Sequence, residues 1–337
     1  MELYFLKNIK TKIVRFYLKY INGNILIQYI ISARVFRKYY KTKNITSILH
    51  VKADDRKIIY TADGRRYAGG LADRLKGIVS LYKISKEINV GFWINFTSPF
   101  VLEEYLIPNK YDWVIHNRKE INYDVKNAVI FDFFEGRGGE TVMRKIQSLF
   151  KKWNQIHITS NICIAVGEEF GKLFNELFKP TEELNYKIHC CLSEINSDFI
   201  SVTFRFRQLL GDFLEIDTSI ILPDNEKLNL INRCIDHLKN IYKENEYRKI
   251  FVTSDSIIFL NSIKELDFVY IVPGKIAHTD HPIKFGKEVY MKSFLDFFLL
   301  THSKKIYQVI DGLMYTSGFP YTASLICNQP YICRTYE

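Results

Sequence analysis

Four short stretches of the 337-residue chain carry the residue types and spacings best able to do chemistry. The first is Phe199-Ile-Ser-Val-Thr-Phe-Arg-Phe-Arg-Gln-Leu-Leu-Gly-Asp-Phe213. Ile200, Val202, Phe204 and Phe206 alternate with Ser201, Thr203, Arg205 and Arg207, which predicts a strand over 199–206. Arg205 and Arg207 then share a face at the strand's carboxyl end, where open α/β sheets bind ligands. A guanidinium there is a rigid fork of donors that matches a diphosphate. The plainer alternative is an edge strand with its cations in water. The second stretch, Gly69-Gly70 ahead of Leu71, suits a strand-to-helix turn that admits a ligand to the backbone and aims N–H groups at an anion. A simple capped turn would look the same. The third, Thr253-Ser254-Asp255, puts a carboxylate at a strand end, able to accept from a nucleobase or a ribose, or to cap the helix from Ser256 onward. The fourth, Thr316-Ser317-Gly318-Phe319-Pro320, places hydroxyls and free N–H groups at a helix start, with Pro320 suited to the first helical position.

The elements that must position these stretches read as alternating strands and helices. Strands are expected at Ser47–Val51, Val90–Phe96, Tyr111–His116, Asn127–Asp132, Lys249–Asp255, Phe268–Pro273 and Ile306–Ile310. Tyr60–Tyr67 reads as a turn. Helices are expected from Leu71, over Glu140–Trp153, Glu168–Phe178 and Glu226–Glu246, from Thr181 or Pro180, and from Tyr321. This order implies a mostly parallel sheet in each half. The expected domains are a basic helical arm over 1–43, an N-terminal Rossmann-like domain over 44–190 and a C-terminal one over 191–337.

Charge is concentrated in the arm. The first fifty residues hold ten Lys/Arg against Glu2 alone, +9 of the chain's formal +10. A near-neutral body argues against nucleic acid as a partner. Leu3, Phe5, Leu6, Ile9, Ile13, Val14, Phe16 and Tyr17 recur at helical spacing among lysines, and the pattern resumes over Ile25–Tyr40. Such an arm suits an anionic membrane surface or packs on the body. No apolar run approaches the ~18 residues of a membrane span. No signal peptide is recognisable. Six cysteines without metal-ligand spacing point to buried thiols in a reducing cytoplasm. The 22 Tyr, 25 Phe and 47 Lys+Arg against 8 Pro suggest the coding habit of an AT-rich bacterial genome. No Gly-x-Gly-x-x-Gly follows a strand, which disfavours a dehydrogenase.

Taken together, the four stretches resemble the motifs of the GDP-fucose-dependent fucosyltransferase superfamily, in that family's order. Thr203-Phe204-Arg205 with Gly211-Asp212 behind it is similar to His-x-Arg followed by Gly-Asp, with Thr203 in place of the His. Gly69, Gly70, Leu71, Arg74 and Leu75 match a Gly-Gly-Leu-Gly-Asn-Arg-Leu opening, with Ala72 and Asp73 replacing Gly-Asn. Ser317, Phe319, Ala323 and Leu325 fit a Ser-Ser-Phe-like turn that opens a helix of small residues and holds the β-phosphate, and Asp255 an Asp that helps hold the nucleotide. Asp296 resembles a structural Asp of the preceding helix. The resemblance implies two Rossmann-like domains facing across a cleft (GT-B), an inverting transfer of fucose from GDP-fucose to a glycan or lipid-linked oligosaccharide, and no metal or other cofactor. It assigns donor binding to Arg205, Arg207, Asp255, Ser317, Gly318, Phe319, Gly69, Gly70 and Arg74. Arg205 would stabilise the departing GDP, and Asp73, Asp63 or Glu135 would serve as base. His278-Thr-Asp-His281 reads as a polar loop rather than a metal site. The implied setting is bacterial surface polysaccharide assembly, in the cytoplasm or on the inner face of the plasma membrane. The rivals are another nucleotide sugar on the same fold, and a non-catalytic peripheral membrane or adaptor protein that kept it.

Overall fold

A computed structural model describes residues 24–40, 55–134, 139–196, 198–213, 220–276 and 285–337. In chain order its elements are α1 (Ile25–Tyr40), β1 (Lys57–Ala62), α2 (Leu71–Glu87), β2 (Gly91–Phe96), β3 (Leu106–Pro108), β4 (Ala128–Ile130), α3 (Gly139–Leu149) and β5 (Gln155–Ile158). There follow α4 (Glu168–Leu177), β6 (Phe178–Pro180), α5 (Glu182–Ile195), β7 (Phe199–Phe204), α6 (Asp224–Glu244), β8 (Lys249–Ser254), α7 (Ile257–Ile263) and β9 (Val269–Tyr270). The last are α8 (Lys287–His302), β10 (Ile306–Asp311), α9 (Gly318–Cys327) and β11 (Tyr331–Tyr336). The chain divides into two compact units. One takes in Met1–Ala68, Arg74–Ser98 and Asp112–Ala165, the other Gly69–Asp73, Pro99–Tyr111 and Val166–Glu337.

The first unit holds a parallel sheet in the order β2-β1-β5-β4. The strand expected at Ser47–Val51 lies outside the described residues. Where the sequence reads as a turn from Tyr60, the chain continues β1 to Ala62. The run Ile58-Ile59-Tyr60-Thr61 suits a pleated buried surface, and the bend falls only at 63–66. Helix α2 crosses close over the segment after β5, since a Cβ on Gly77 would lie 1.8 Å from the Ser160 carbonyl oxygen. Tyr111–His116 forms no strand. Instead the Trp113 carbonyl accepts the Ile94 N–H at 3.0 Å at the outer edge of β2, and the Trp113 side chain is buried.

The other edge is covered by α1. Ser32 Oγ accepts the Ile130 N–H of β4 at 2.8 Å and donates to the Gln28 carbonyl at 2.6 Å. Phe36, 2 % exposed, packs on Ala128 and Ile130. Its ring meets Tyr123 and His157 edge-on. Tyr40 stacks on Tyr123 at 4.0 Å and donates to Asp63 at 2.6 Å. Burial, reinforced by Arg66, pushes His157 down to about 3, so it stays a neutral packing group. This part of the basic arm is therefore fastened to the body by its inner face. Residues 1–23 lie outside the described residues. Among the described residues no helix is long and apolar enough to cross a membrane.

The second unit holds a parallel five-stranded sheet in the order β11-β10-β7-β8-β9, with β3 and β6 as a small antiparallel pair. β7 is central and buried along its whole length, which excludes the edge-strand reading. One sheet face packs on α6 and α7 through Leu230, Cys234, Leu238, Phe259 and Ile263. The six cysteines are free thiols, but Cys190 and Cys333 are exposed and only Cys234 is fully buried, so the expectation of buried thiols fails for most of them.

Phe36→Ala removes the main anchor of α1 and leaves a cavity, at a cost of about 3 kcal/mol. Hydrogen exchange is expected to show the α1 amides and the Ile130 amide losing protection together.

Candidate functional site

The second unit's site begins where β7 stops. The strand ends at Phe204, and Arg207 adopts a left-handed backbone with φ 55°, so the two arginines do not share a face as their spacing suggests. The cause is Asp255, the residue after β8. Its Oδ1 accepts from the Phe206 N–H and its Oδ2 from the Arg207 N–H, both at 2.8 Å, while Arg205 Nε lies 3.4 Å from Oδ2. Burial pushes the Asp255 carboxyl up, against the opposing pull of Arg205 and the two backbone donors. Thr203 is also internal, with its hydroxyl 2.8 Å from that of Thr253.

Gly211-Asp212 has a structural task. Asp212 Oδ2 accepts from Ser256 Oγ at 2.9 Å and from the Ile258 N–H at 2.8 Å, and Ser256 in turn caps Phe259. The loop after β7 is thus pinned to the start of α7, which joins the arginines to the Asp255 turn. Ser256, rather than Asp255, is the cap of that helix.

The loop after β10 closes the site. The Tyr315 N–H donates to the Arg205 carbonyl at 3.0 Å, and Ser317 caps α9 by accepting from the Phe319 N–H at 3.2 Å. Gly318 opens the helix, so Pro320 falls at its third position rather than its first. Arg207 lies over the Tyr315 ring at 4.8 Å and Arg205 over Phe213 at 5.3 Å. At the base of this loop Asp311 is gripped by Arg233 (2.6 and 3.0 Å) and by His237 Nε2 at 2.9 Å. Burial would raise the Asp311 carboxyl, but hydrogen bonds from Arg233 and His237 hold it below the usual carboxylate range. Arg205, Arg207, Asp255 and the Ser317–Phe319 turn are thus brought together at the carboxyl ends of β7, β8 and β10. Tyr315, Phe213 and Asp311 belong with them and were not anticipated. The one sequence signal was Asp311-Gly312, a carboxylate ending a strand just as Asp255 does.

Gly69, Gly70, Asp73 and Arg74 cluster around the start of α2. Gly69 has φ 78°, which strains any other residue, and a Cβ there would lie 3.0 Å from that of Asp73. Arg74 is buried, donates to the Ser98 carbonyl at 2.5 Å and lies over Phe96 at 4.8 Å, so it braces the interior. Asp63 is occupied by Tyr40 and by Arg65 at 2.8 Å; burial alone would raise its carboxyl, but those two partners hold it low. Glu135 and residues 278–281 lie outside the described residues. Among the described residues no group of three or more His, Cys, Asp or Glu side chains is arranged to hold a metal ion.

No protein-family model matches the chain, and no curated protein matches its sequence. Solved structures do match. NodZ alpha-1,6-fucosyltransferase co-crystallised with GDP aligns at TM-score 0.52 and 16% identity, covering 80% of this chain and 92% of that one. Fucosyltransferase NodZ from Bradyrhizobium gives 0.52 and 17%, covering 80% and 93%. A variant of FUT1 from Arabidopsis thaliana in complex with GDP gives 0.55 and 11%, covering 91% and 79%. The chain has the α/β fold with parallel sheets that these fucosyltransferase structures share.

Asp255→Ala strands the Arg205 cation and two backbone donors, and is expected to lower unfolding free energy by about 3 kcal/mol in urea titrations. Asp255→Asn, which keeps one acceptor, is expected to cost less.

Proposed function

We propose that the protein is a fucosyltransferase that moves fucose from GDP-fucose to a glycan hydroxyl. The observation that carries this reading is the bond from the Tyr315 N–H to the Arg205 carbonyl, which ties the arginine turn to the start of α9. A pyrophosphate at this edge would meet the Arg205 guanidinium, the Ser317 hydroxyl and the first N–H groups of the helix. Those groups stabilise the charge that develops on departing GDP, so the site needs no metal for that step. The likeness to structures holding GDP supports the same reading.

In this reading the acceptor hydroxyl displaces GDP at the anomeric carbon with inversion, and Asp73, in the first turn of α2, takes its proton. Gly69 and Gly70 let the acceptor side approach the backbone. Arg74 acts by holding that helix start rather than by touching the donor. Another nucleotide sugar on the same fold is tested by thermal shift across GDP-, UDP- and dTDP-sugars, in which GDP compounds are expected to stabilise most.

Isothermal titration with GDP is the direct test. Arg205→Gln is expected to weaken GDP about 30-fold, the value of one charge-assisted contact at about 2 kcal/mol. Arg205→Lys, which retains the charge beside Asp255, is expected to keep the fold and lose less. Unchanged affinity in both variants would move the chain to the non-catalytic class, for which Thr203 in the His position is the sequence argument.

The acceptor we infer is a lipid-linked oligosaccharide at an anionic membrane surface, as in surface polysaccharide synthesis. The outer face of α1 supports this: Leu26 and Ile30 are 67% and 58% exposed, Arg34, Arg37 and Lys38 are exposed beside them, and the helix has no acid. The full chain is expected to float with phosphatidylglycerol vesicles and not with phosphatidylcholine alone. Leu26→Glu with Ile30→Glu is expected to abolish flotation; equal recovery with both vesicle types would sink the idea.

A further inference from the structure

We propose that the ring of Tyr315 is the shelf on which the base of the bound nucleoside diphosphate stacks. This rests on the reading of the Arg205–Ser317 edge as a nucleoside-diphosphate site. Tyr315 is 53% exposed, although its backbone is held at both ends. Its N–H donates to the Arg205 carbonyl, and its own carbonyl accepts from Gln308 Nε2 at 3.4 Å. Gln308 is fully buried in β10 and accepts from the Tyr331 hydroxyl at 2.5 Å. Met314, the preceding residue, is buried in the core, and Asp311 is locked by Arg233 and His237. The loop therefore commits its backbone to the fold while leaving Tyr315 about half exposed.

A second feature points the same way. Arg207 holds a left-handed backbone, which costs a non-glycine residue about 1–3 kcal/mol, and its guanidinium lies over the Tyr315 ring. The buried Asp255 carboxylate sustains that conformation through the Arg207 N–H. The strain thus fixes a cation on the ring and orients it. Tyr315 is two residues from the Ser317 cap, at most about 7 Å of chain, so a diphosphate at the cap brings its nucleoside within reach. Asp255, which the sequence offers for the base edge, is only 6% exposed and turns its carboxyl to the Phe206 and Arg207 N–H groups, so recognition shifts from edge to face. Stacking on an aromatic ring contributes about 1–3 kcal/mol per base, with modest preferences set by stacking strength.

The test compares GDP, GDP-fucose and inorganic pyrophosphate on the full chain, by calorimetry and by competition. Tyr315→Ala is expected to weaken GDP by about tenfold to a hundredfold while leaving pyrophosphate within about twofold. Tyr315→Phe, which keeps the ring, is expected to match the parent protein. Arg205→Gln is expected to weaken both ligands. If Tyr315→Ala leaves GDP unchanged while Arg205→Gln weakens it, the shelf is wrong and the nucleotide site stands. If Tyr315→Ala spares GDP but weakens GDP-fucose, the ring carries the sugar and the proposal falls. Equal loss of GDP and pyrophosphate, with a lowered unfolding midpoint, reduces Tyr315 to a structural support. A parent protein that binds none of the three overturns the site and the shelf together.

Discussion

The buried carboxylate of Asp255 decides what form the second unit's site takes. A parallel strand that ends inside a sheet leaves its next N–H groups without ladder partners, and burial makes that costly. Here the neighbouring strand supplies the acceptor: Asp255 takes both the Phe206 and the Arg207 N–H, with Arg205 as counter-ion. Each partner needs the other. The donors and Arg205 oppose the upward push of burial on the carboxyl, and without the carboxyl the Phe206 and Arg207 N–H groups would lose the acceptor that holds the turn after Phe204.

The same device recurs twice along this edge. Asp212 caps α7 from the loop after β7, and Asp311 at the end of β10 binds Arg233 and His237 of α6. The three differ in what they leave available. Asp311 consumes its cations to fix a loop, with His237 also stacked on Tyr336 at 3.7 Å. Asp212 spends itself on backbone and hydroxyl donors. Asp255 faces the Arg205 cation at a longer range, Nε lying 3.4 Å from Oδ2. The bulk of the acceptance there goes to backbone N–H groups.

What the sequence disclosed and what it hid follow from the range of these interactions. The Arg strand, the helix from Leu71 and the Ser317 turn were legible because their cues are local: alternation, 3.6-residue spacing, a hydroxyl before a helix. The turn at Arg207 was not, because its cause lies 48 residues away in Asp255. Tyr315 was hidden for a similar reason, since its exposure follows from a bond to Arg205 more than a hundred residues earlier. β1 was obscured by Asp63-Gly64, whose turn signal is real but begins only after Ala62. The Gly211-Asp212 motif was visible as a pattern, yet its work at Ser256 and Ile258 could not be read without the fold.

The first unit shows how a basic segment can be structural on one side and open on the other. An edge strand invites pairing with another chain, and α1 covers the β4 edge, with Ser32 accepting the Ile130 N–H. Once Phe36 and Tyr40 are docked, helical geometry fixes which residues must face outward, because 100° per residue sets Leu26, Ile30 and Arg37 opposite Gln28, Ser32 and Phe36. The exposed aliphatic side chains and cations on α1 are therefore not a failure of packing. A helix that only covered β4 would have no need of them, and polar residues at Leu26 and Ile30 would serve solubility better. Their retention on the outer face, with no acid among them, is the physical ground for giving that face a partner of its own.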